Sequence, residues 1–259
     1  MIICVTANKG GAGKTTTAAN LAYYLAAAAR GVLLADFDPQ GHAAIALGCD
    51  PAPGVFGWLV QDRHVRDCVI TARESVAITG ALWLLPGDSR SHVAETMIRM
   101  DRGGAAAVAG RLAALDQAYA DVVIDTASAG ALQESAILAA DVVVIPARAE
   151  SLGVDGVRMT VAAVDHLRRG AARVVVAPVA VDSRLAEHAR NLEILRAEFG
   201  GDLVAPAIPA RVAVAEAAAL GLTAAEYRTG GNGAAAVAAA YGLLGQVVVR
   251  SLAPAAVQS

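Results

Sequence analysis

Lysine is almost missing from this chain. Of 21 basic side chains in 259 residues nineteen are arginine, and the two lysines, Lys9 and Lys14, stand five residues apart. Arginine in place of lysine, with alanine swelling a 56% hydrophobic fraction, reads as the coding bias of a GC-rich genome. Neither abundance speaks to function. Two lysines kept against that bias call for a local reason.

Cysteine is equally sparse. Cys4, Cys49 and Cys68 are odd in number, widely spaced and without a CxxC pair. That excludes a disulfide framework or a cysteine zinc site and suits a reducing compartment. The histidines (His42, His64, His92, His166, His188) show neither HxxxH nor HExxH spacing, so they offer no metal cluster. Positive charge is not in excess either. The net charge of −3 argues against a globally basic nucleic-acid binder and leaves a local patch as the option. Residues 1–147 carry ten basic and fourteen acidic groups, whereas 148–259 carry eleven arginines against ten acids, so the C-terminal part has more cationic material.

Targeting signals are lacking as well. Met1-Ile-Ile-Cys-Val-Thr has no basic n-region and runs straight into a glycine loop, so a cytoplasmic protein is expected. The uncharged run from Thr229 to Val249 has the length of a membrane span. It holds Gly230-Gly231-Asn232-Gly233 and Gln246 among alanines of small transfer energy, so a buried C-terminal helix is expected and no membrane partner.

What the chain does have is alternation. Continuous apolar runs at Ile2–Thr6, Val32–Asp36, Asp121–Asp125, Asp141–Pro146, Arg173–Val179 and Leu203–Ile208 read as strands covered on both faces. Helix-compatible stretches such as Thr16–Ala29, Val154–Arg169 and Arg184–Phe199 lie between them. The pattern predicts a doubly wound, mostly parallel α/β sheet with helices on both faces. Val76–Leu85 adds a strand pair or edge element, ending at Pro86-Gly87. No linker or repeat divides residues 1–259, which read as a single domain.

Both lysines belong to Asn8-Lys9-Gly10-Gly11-Ala12-Gly13-Lys14-Thr15-Thr16, which follows the first strand and leads into a helix. Glycines there let successive N–H groups curl toward phosphate oxygens, and the helix adds its positive end. Lys14 then meets the β- and γ-phosphates, and Thr15 ligates Mg²⁺. The general pattern wants glycine at position 8, where this chain has Asn8. Two strands end in aspartate: Asp36-Phe37-Asp38-Pro39-Gln40-Gly41 and Val122-Val123-Ile124-Asp125-Thr126. A carboxylate at such a place orients attacking water or holds the hydrated metal; alone, it merely caps a helix.

With Lys9 directly before Gly-Gly-Ala-Gly-Lys-Thr, a DxDPQG segment and a strand ending at Asp125, the chain resembles the ParA/MinD family of deviant Walker A P-loop ATPases. The resemblance extends through Leu82–Asp88, Ile208–Ala217 and Thr223–Tyr227. It implies that Lys9 reaches a partner subunit's ATP, that Asp38 orients water, and that Asp125, acting through water, holds Mg²⁺ with Thr15 and Asp38. It further implies that Pro209 and Arg211 lie on the adenine side, although Ala210 replaces an arginine common in the family. The ending "RSLAPAAVQS" lacks the basic membrane helix of MinD-type members, and no cysteines match those of the iron-protein relatives. With the loop at residue 8, a short form without a helix-turn-helix module is expected.

A partition ATPase of plasmid or chromosome is therefore the expectation: an ATP-dependent homodimer, with higher assemblies built on it, binding DNA without sequence preference. A ParB-like or centromere-binding adaptor would stimulate it, and it would sit on the nucleoid. Arg184, Arg190, Arg211 and Arg228 are the candidate DNA contacts. Intrahelical pairing of the Ser183–Phe199 arginines with Glu187, Glu193 and Glu198 is the competing reading. A ParA-like ATPase positioning a protein cargo uses the same residues. A metabolic amidotransferase-type synthase shares the two-lysine loop but usually needs a second catalytic domain, for which this chain has no room.

Overall fold

The computed structural model describes residues 1–76, 80–201, 203–227 and 231–252. The apolar runs become strands β1 (Ile2–Val5), β2 (Gly31–Asp36), β5 (Asp121–Asp125), β6 (Val142–Arg148) and β7 (Arg173–Val179), joined by an edge pair, β3 (Ile70–Val76) and β4 (Gly80–Leu85). Among the described residues the sheet runs β3-β4-β2-β5-β1-β6-β7, parallel throughout apart from β3 against β4. The helices are α1 (Lys14–Ala27), α2 (His42–Ala46), α3 (Gly54–Leu59), α4 (Ser91–Met100), α5 (Gly104–Leu115), α6 (Ala131–Ala139), α7 (Ser151–Arg168), α8 (Ala186–Phe199), α9 (Val212–Ala219) and α10 (Gly231–Ser251).

Period-two alternation sorts β1 between two cores. Ile3 and Val5 pack with Leu21, Ala22 and Leu25 of α1, whereas Ile2 and Cys4 face Leu132, Ala136 and Ile137 of α6. β1 crosses β5 to reach β2 through α1, and β5 crosses β1 to reach β6 through α6 on the opposite face. The chain thus winds outward in both directions from the middle of the sheet. Loops at the C-terminal ends of β1, β2 and β5 meet at this switch point, where ligands bind in folds of this class.

Three expectations need correction. Leu203–Ile208 is not a strand: it meets β7 in an isolated bridge, Val176 to Val204, and a second bridge, Val181 to Pro209, forms just beyond both segments. Pro206 has no N–H to give a ladder, so the pairing is interrupted between the two bridges. The edge pair begins at Ile70 rather than Val76. Its first strand, Ile-Thr-Ala-Arg-Glu-Ser-Val, is too polar for an apolar-run criterion, and its register shifts on both sides of Arg73. Arg73 leaves the sheet to bind Glu226 (2.6 Å) and the carbonyls of Leu47 and Gly221 (2.9 and 3.0 Å). Finally, α10 is buried on one stripe only, comprising Ala234, Val237, Tyr241, Leu244 and Val248, while Leu243 and Val249 are exposed.

That stripe lies close to α1. A Cβ built on Gly245 would fall 2.2 Å from Tyr24 Cδ1, so only glycine admits this approach. Gly245→Ala is expected to lower stability by about 1–3 kcal/mol through overpacking. Urea unfolding measures it, and an unchanged midpoint would show that the helices do not meet there.

Candidate functional site

The loop after β1 turns on two left-handed glycines, Gly11 (φ +71°) and Gly13 (φ +86°). Gly13 caps α1 without a side chain, and no acidic residue occupies the first turn, so the positive helix end is uncompensated. Asn8 replaces the expected glycine without strain, because its φ is not positive. Its N–H is held by Thr160 Oγ1 of α7 at 3.3 Å. A side chain on Gly10 would meet no protein atom, so packing does not explain that glycine. Ala12 is buried, and Thr15 and Thr16 are half-buried in the first turn of α1.

Lys14 is buried and donates from Nζ to the Lys9 carbonyl (3.3 Å) and to Ser128 Oγ (2.8 Å). Burial pulls its pKa down, and the charges of Asp125 and Asp38 oppose that. Lys9 points elsewhere. Its exposed side chain borders a cavity of about 170 Å³ shared with Asn8, Arg148, Glu150 and Gly153, and its stem lies beside Gly156 of α7. One lysine serves its own loop, and the other faces outward.

The parallel register sets Asp36 of β2 beside Asp125 of β5. Asp125 is fully buried, and neither carboxylate oxygen has a partner at full hydrogen-bond geometry among the described residues, although the Thr15 hydroxyl and the Thr126 N–H lie close enough to favour its charged form. Burial pushes its pKa up to about 7; Asp38 adds to that shift, while Thr15 and Lys14 oppose it. Asp36 is also raised, by burial and then by the Asp125 charge. Its oxygens accept the N–H groups of Asp38 (3.1 Å) and Ala43 (3.0 Å), so it shapes the loop that carries Asp38. Half-buried Asp38 in turn accepts the Gln40 N–H at 3.0 Å.

Asp36 and Ser128 are site residues to which sequence reasoning gave no role. Asp36 lay inside the recognised DxDPQG segment. Ser128 gave no local signal, because its contact with Lys14 spans 114 residues.

The C-terminal candidates are more dispersed. Pro209 sits at the bridge to Val181, and Val181 follows β7, whose Val179 abuts Gly13. Arg211 is exposed at the head of α9, where it bonds the Ala210 carbonyl (2.7 Å) and lies beside Gly233. Among the described residues neither hydrogen-bonds the phosphate loop. Arg184 is held by Asp182 at 2.6 Å. Two glutamates of α8 turn toward α7: Glu187 accepts from Ser151 and Glu198 from Arg158. The intrahelical pairs do not form, and Arg190 and Arg196 make no ion pair among the described residues. Arg228 lies outside the described residues.

Comparison with known proteins agrees with this geometry. Residues 1–174 match the AAA domain family AAA_31. The chain is 34% identical to the chromosome-partitioning ATPase Soj of Thermus thermophilus, over 90% of each chain. Among solved structures, apo McdA of Cyanothece superposes with a TM-score of 0.77 at 25% identity, covering 92% of this chain and 98% of that one. The cobyrinic acid a,c-diamide synthase of Mycobacterium smegmatis, bound to ADP and magnesium, gives 0.76 at 25% identity, covering 96% and 94%. That solved synthase chain is of similar length, so size does not separate a synthase from a partition ATPase. With its two-lysine loop, paired strand-end carboxylates and Soj relatives, the chain belongs to the ParA/MinD family of deviant Walker A P-loop ATPases.

Proposed function

We propose that this ParA-type ATPase is a partition ATPase: it binds Mg²⁺ and ATP, pairs into a homodimer, and holds DNA without sequence preference until an adaptor triggers hydrolysis. The observation that carries the nucleotide and metal part is Asp125. A fully buried carboxylate with no well-formed hydrogen bond to either oxygen is costly to keep, and a divalent cation is what such a group accommodates. The Thr15 hydroxyl and Asp38 stand near enough to influence its charge and complete an oxygen donor set. Bound there, Mg²⁺ would neutralise phosphate charge during transfer.

The chain's own residues do the rest. Gly10 to Gly13 and the head of α1 offer N–H donors to phosphate oxygens. Lys14 exchanges its bonds to Lys9 O and Ser128 for the β/γ-phosphates, so the loop is already shaped around its charge. Asp38, on a loop fixed by Asp36, orients the attacking water. Lys9 faces outward to a second copy. Pro209 and Arg211 line the base side. Arg184, Arg190, Arg211 and Arg228 supply phosphate contacts to DNA, and among the described residues Arg190 and Arg211 form no ion pair, whereas Arg184 is held by Asp182. The protein works in the bacterial cytoplasm on the nucleoid. A protein cargo would be carried by the same residues, and the product of an adjacent gene distinguishes the two.

The test is ATP turnover and DNA binding in one preparation. Turnover is expected to be slow alone and to rise at least tenfold with DNA and the adjacent-gene partner. DNA affinity should be at least tenfold higher with ATP than without, because dimerisation joins two weak patches. It should fall steeply with salt as counterions are released. Binding that is equal in both states, or insensitive to salt, would remove the partition reading and favour a synthase.

A further inference from the structure

We propose that Glu95 is a positioning residue of the nucleotide site, rooted in α4 and acting through the loop between β5 and α6. The proposal rests on the ATPase reading above. Gly130, the residue before α6, has φ +128° and no side chain with which to cap that helix. The cap comes from another helix. Glu95 Oε1 accepts the Ala131 N–H at 2.6 Å, and Oε2 accepts the Leu132 N–H at 2.9 Å. The side chain is only 13% exposed, and Arg99 pairs with it from the solvent side at 3.1 Å. A carboxylate on the positive end of a helix makes hydrogen bonds of the stronger, charge-assisted kind. Gly130 leaves room for it: a Cβ there would lie 2.5 Å from Glu95 Oε1.

From this cap a continuous set of contacts leads to the phosphate loop. The first turn of α6 carries Gln133, whose amide donates to Thr6 Oγ1 (2.7 Å) and to the Ser128 carbonyl (3.3 Å). Ser128 Oγ accepts from Lys14 Nζ. The root of α4 reaches the other catalytic loop. Gly87, which leads into α4, lies so near the Asp36 and Asp38 carbonyls that a Cβ would fall 2.4 and 3.0 Å from them. So α4 spans the loop that carries Asp38 and the loop that follows Asp125, and Glu95 is its hold on the second. Glu95 touches no reacting atom. It keeps Ser128 and Asp125 in one geometry, and phosphoryl transfer depends on such positioning.

The test uses Glu95→Gln, which preserves size but removes the charge and one acceptor, together with Glu95→Ala. In nucleotide-free Glu95→Gln, the amides of residues 131 and 132 should exchange hydrogen at least tenfold faster than in the wild type. Its kcat should fall ten- to hundredfold while KM for ATP changes less than threefold. Melting curves confine the comparison to folded protein, and Glu95→Gln carries the test if Glu95→Ala is unfolded. Gly130→Ala, which displaces the same carboxylate, should show the same kcat loss and add less than twofold to Glu95→Gln. A kcat within twofold of wild type in Glu95→Gln, or unaltered exchange at 131 and 132, overturns the proposal and leaves Glu95 a helix cap. A wild-type protein that turns over no ATP overturns the ATPase reading and this proposal with it; a failure confined to Glu95→Gln overturns only the latter.

Discussion

Asp125→Asn is expected to raise the melting temperature of the nucleotide-free protein while abolishing its ATP turnover. Unfolded, the carboxyl titrates near its ordinary 3.8; folded, burial holds it up to about 7. Between those pH values the folded state keeps a proton that the unfolded state has released. Stability therefore falls as pH rises from about 4 to about 7, and the whole cost is present above 7. That difference corresponds to at most about 4 kcal/mol, and relaxation of the site leaves about 2–4. The substitution also relieves Asp36, which the Asp125 charge pushes upward. In EDTA at pH 8 the variant should melt about 5–10 °C above wild type. At pH 4, where wild-type Asp125 is protonated too, the advantage should vanish. Turnover should fall at least hundredfold, since the carboxylate that would hold the metal is gone. An equal melting temperature at pH 8 refutes the burial account, and retained turnover refutes the metal role.

Lys9→Ala should leave nucleotide binding by the monomer within about threefold of wild type yet weaken ATP-dependent dimerisation at least hundredfold. The Lys9 group that touches its own loop is the backbone carbonyl accepting from Lys14, and alanine keeps that carbonyl. The ammonium group is spent outward. In a two-fold dimer each loss counts twice, because the same contact recurs across the axis. Lys9→Arg should rescue poorly, since a planar fork does not replace a compact point charge among crowded phosphates. Light scattering with ATP and Mg²⁺ reads the outcome: a normal dimer would make Lys9 an ordinary loop lysine. DNA binding and partner-stimulated turnover should be lost together with the dimer.

The phosphate loop was legible because its chemistry is local: Gly10 to Thr15 carry backbone freedom, charge and hydroxyl within six residues. Strands β1, β2, β5, β6 and β7 were legible because burial on both faces makes them continuous apolar runs. β3 escaped because an edge strand has one covered face and Arg73 breaks its register. The 203–208 run was over-read, since its apolar content matches a strand while Pro206 interrupts the ladder. The charge pairing of α8 was misjudged for a related reason. Helical spacing offers Glu187 and Glu198 partners on their own helix, but packing presents Ser151 and Arg158 of α7 first. Asp36 and Ser128 act through bonds that only the assembled loops create. Local signals pointed to the phosphate loop and strand-end carboxylates, and tertiary packing shows which residues support them.

The two margins of the sheet have a consequence for self-association. On one side, β3 shifts register twice and its arginine turns out to Glu226, Leu47 and Gly221. On the other, β7 is screened by a segment whose prolines present no donors to an incoming strand. Irregular, proline-bearing margins are poor templates for strand addition. Copies of this chain are thus steered away from docking edge to edge into a continuous ribbon, the route that leads to insoluble fibres. The loop-bearing end of the strands, where exposed Lys9 lies, is not blocked in this way. Pairing of copies through that end would couple self-association to whatever those loops hold.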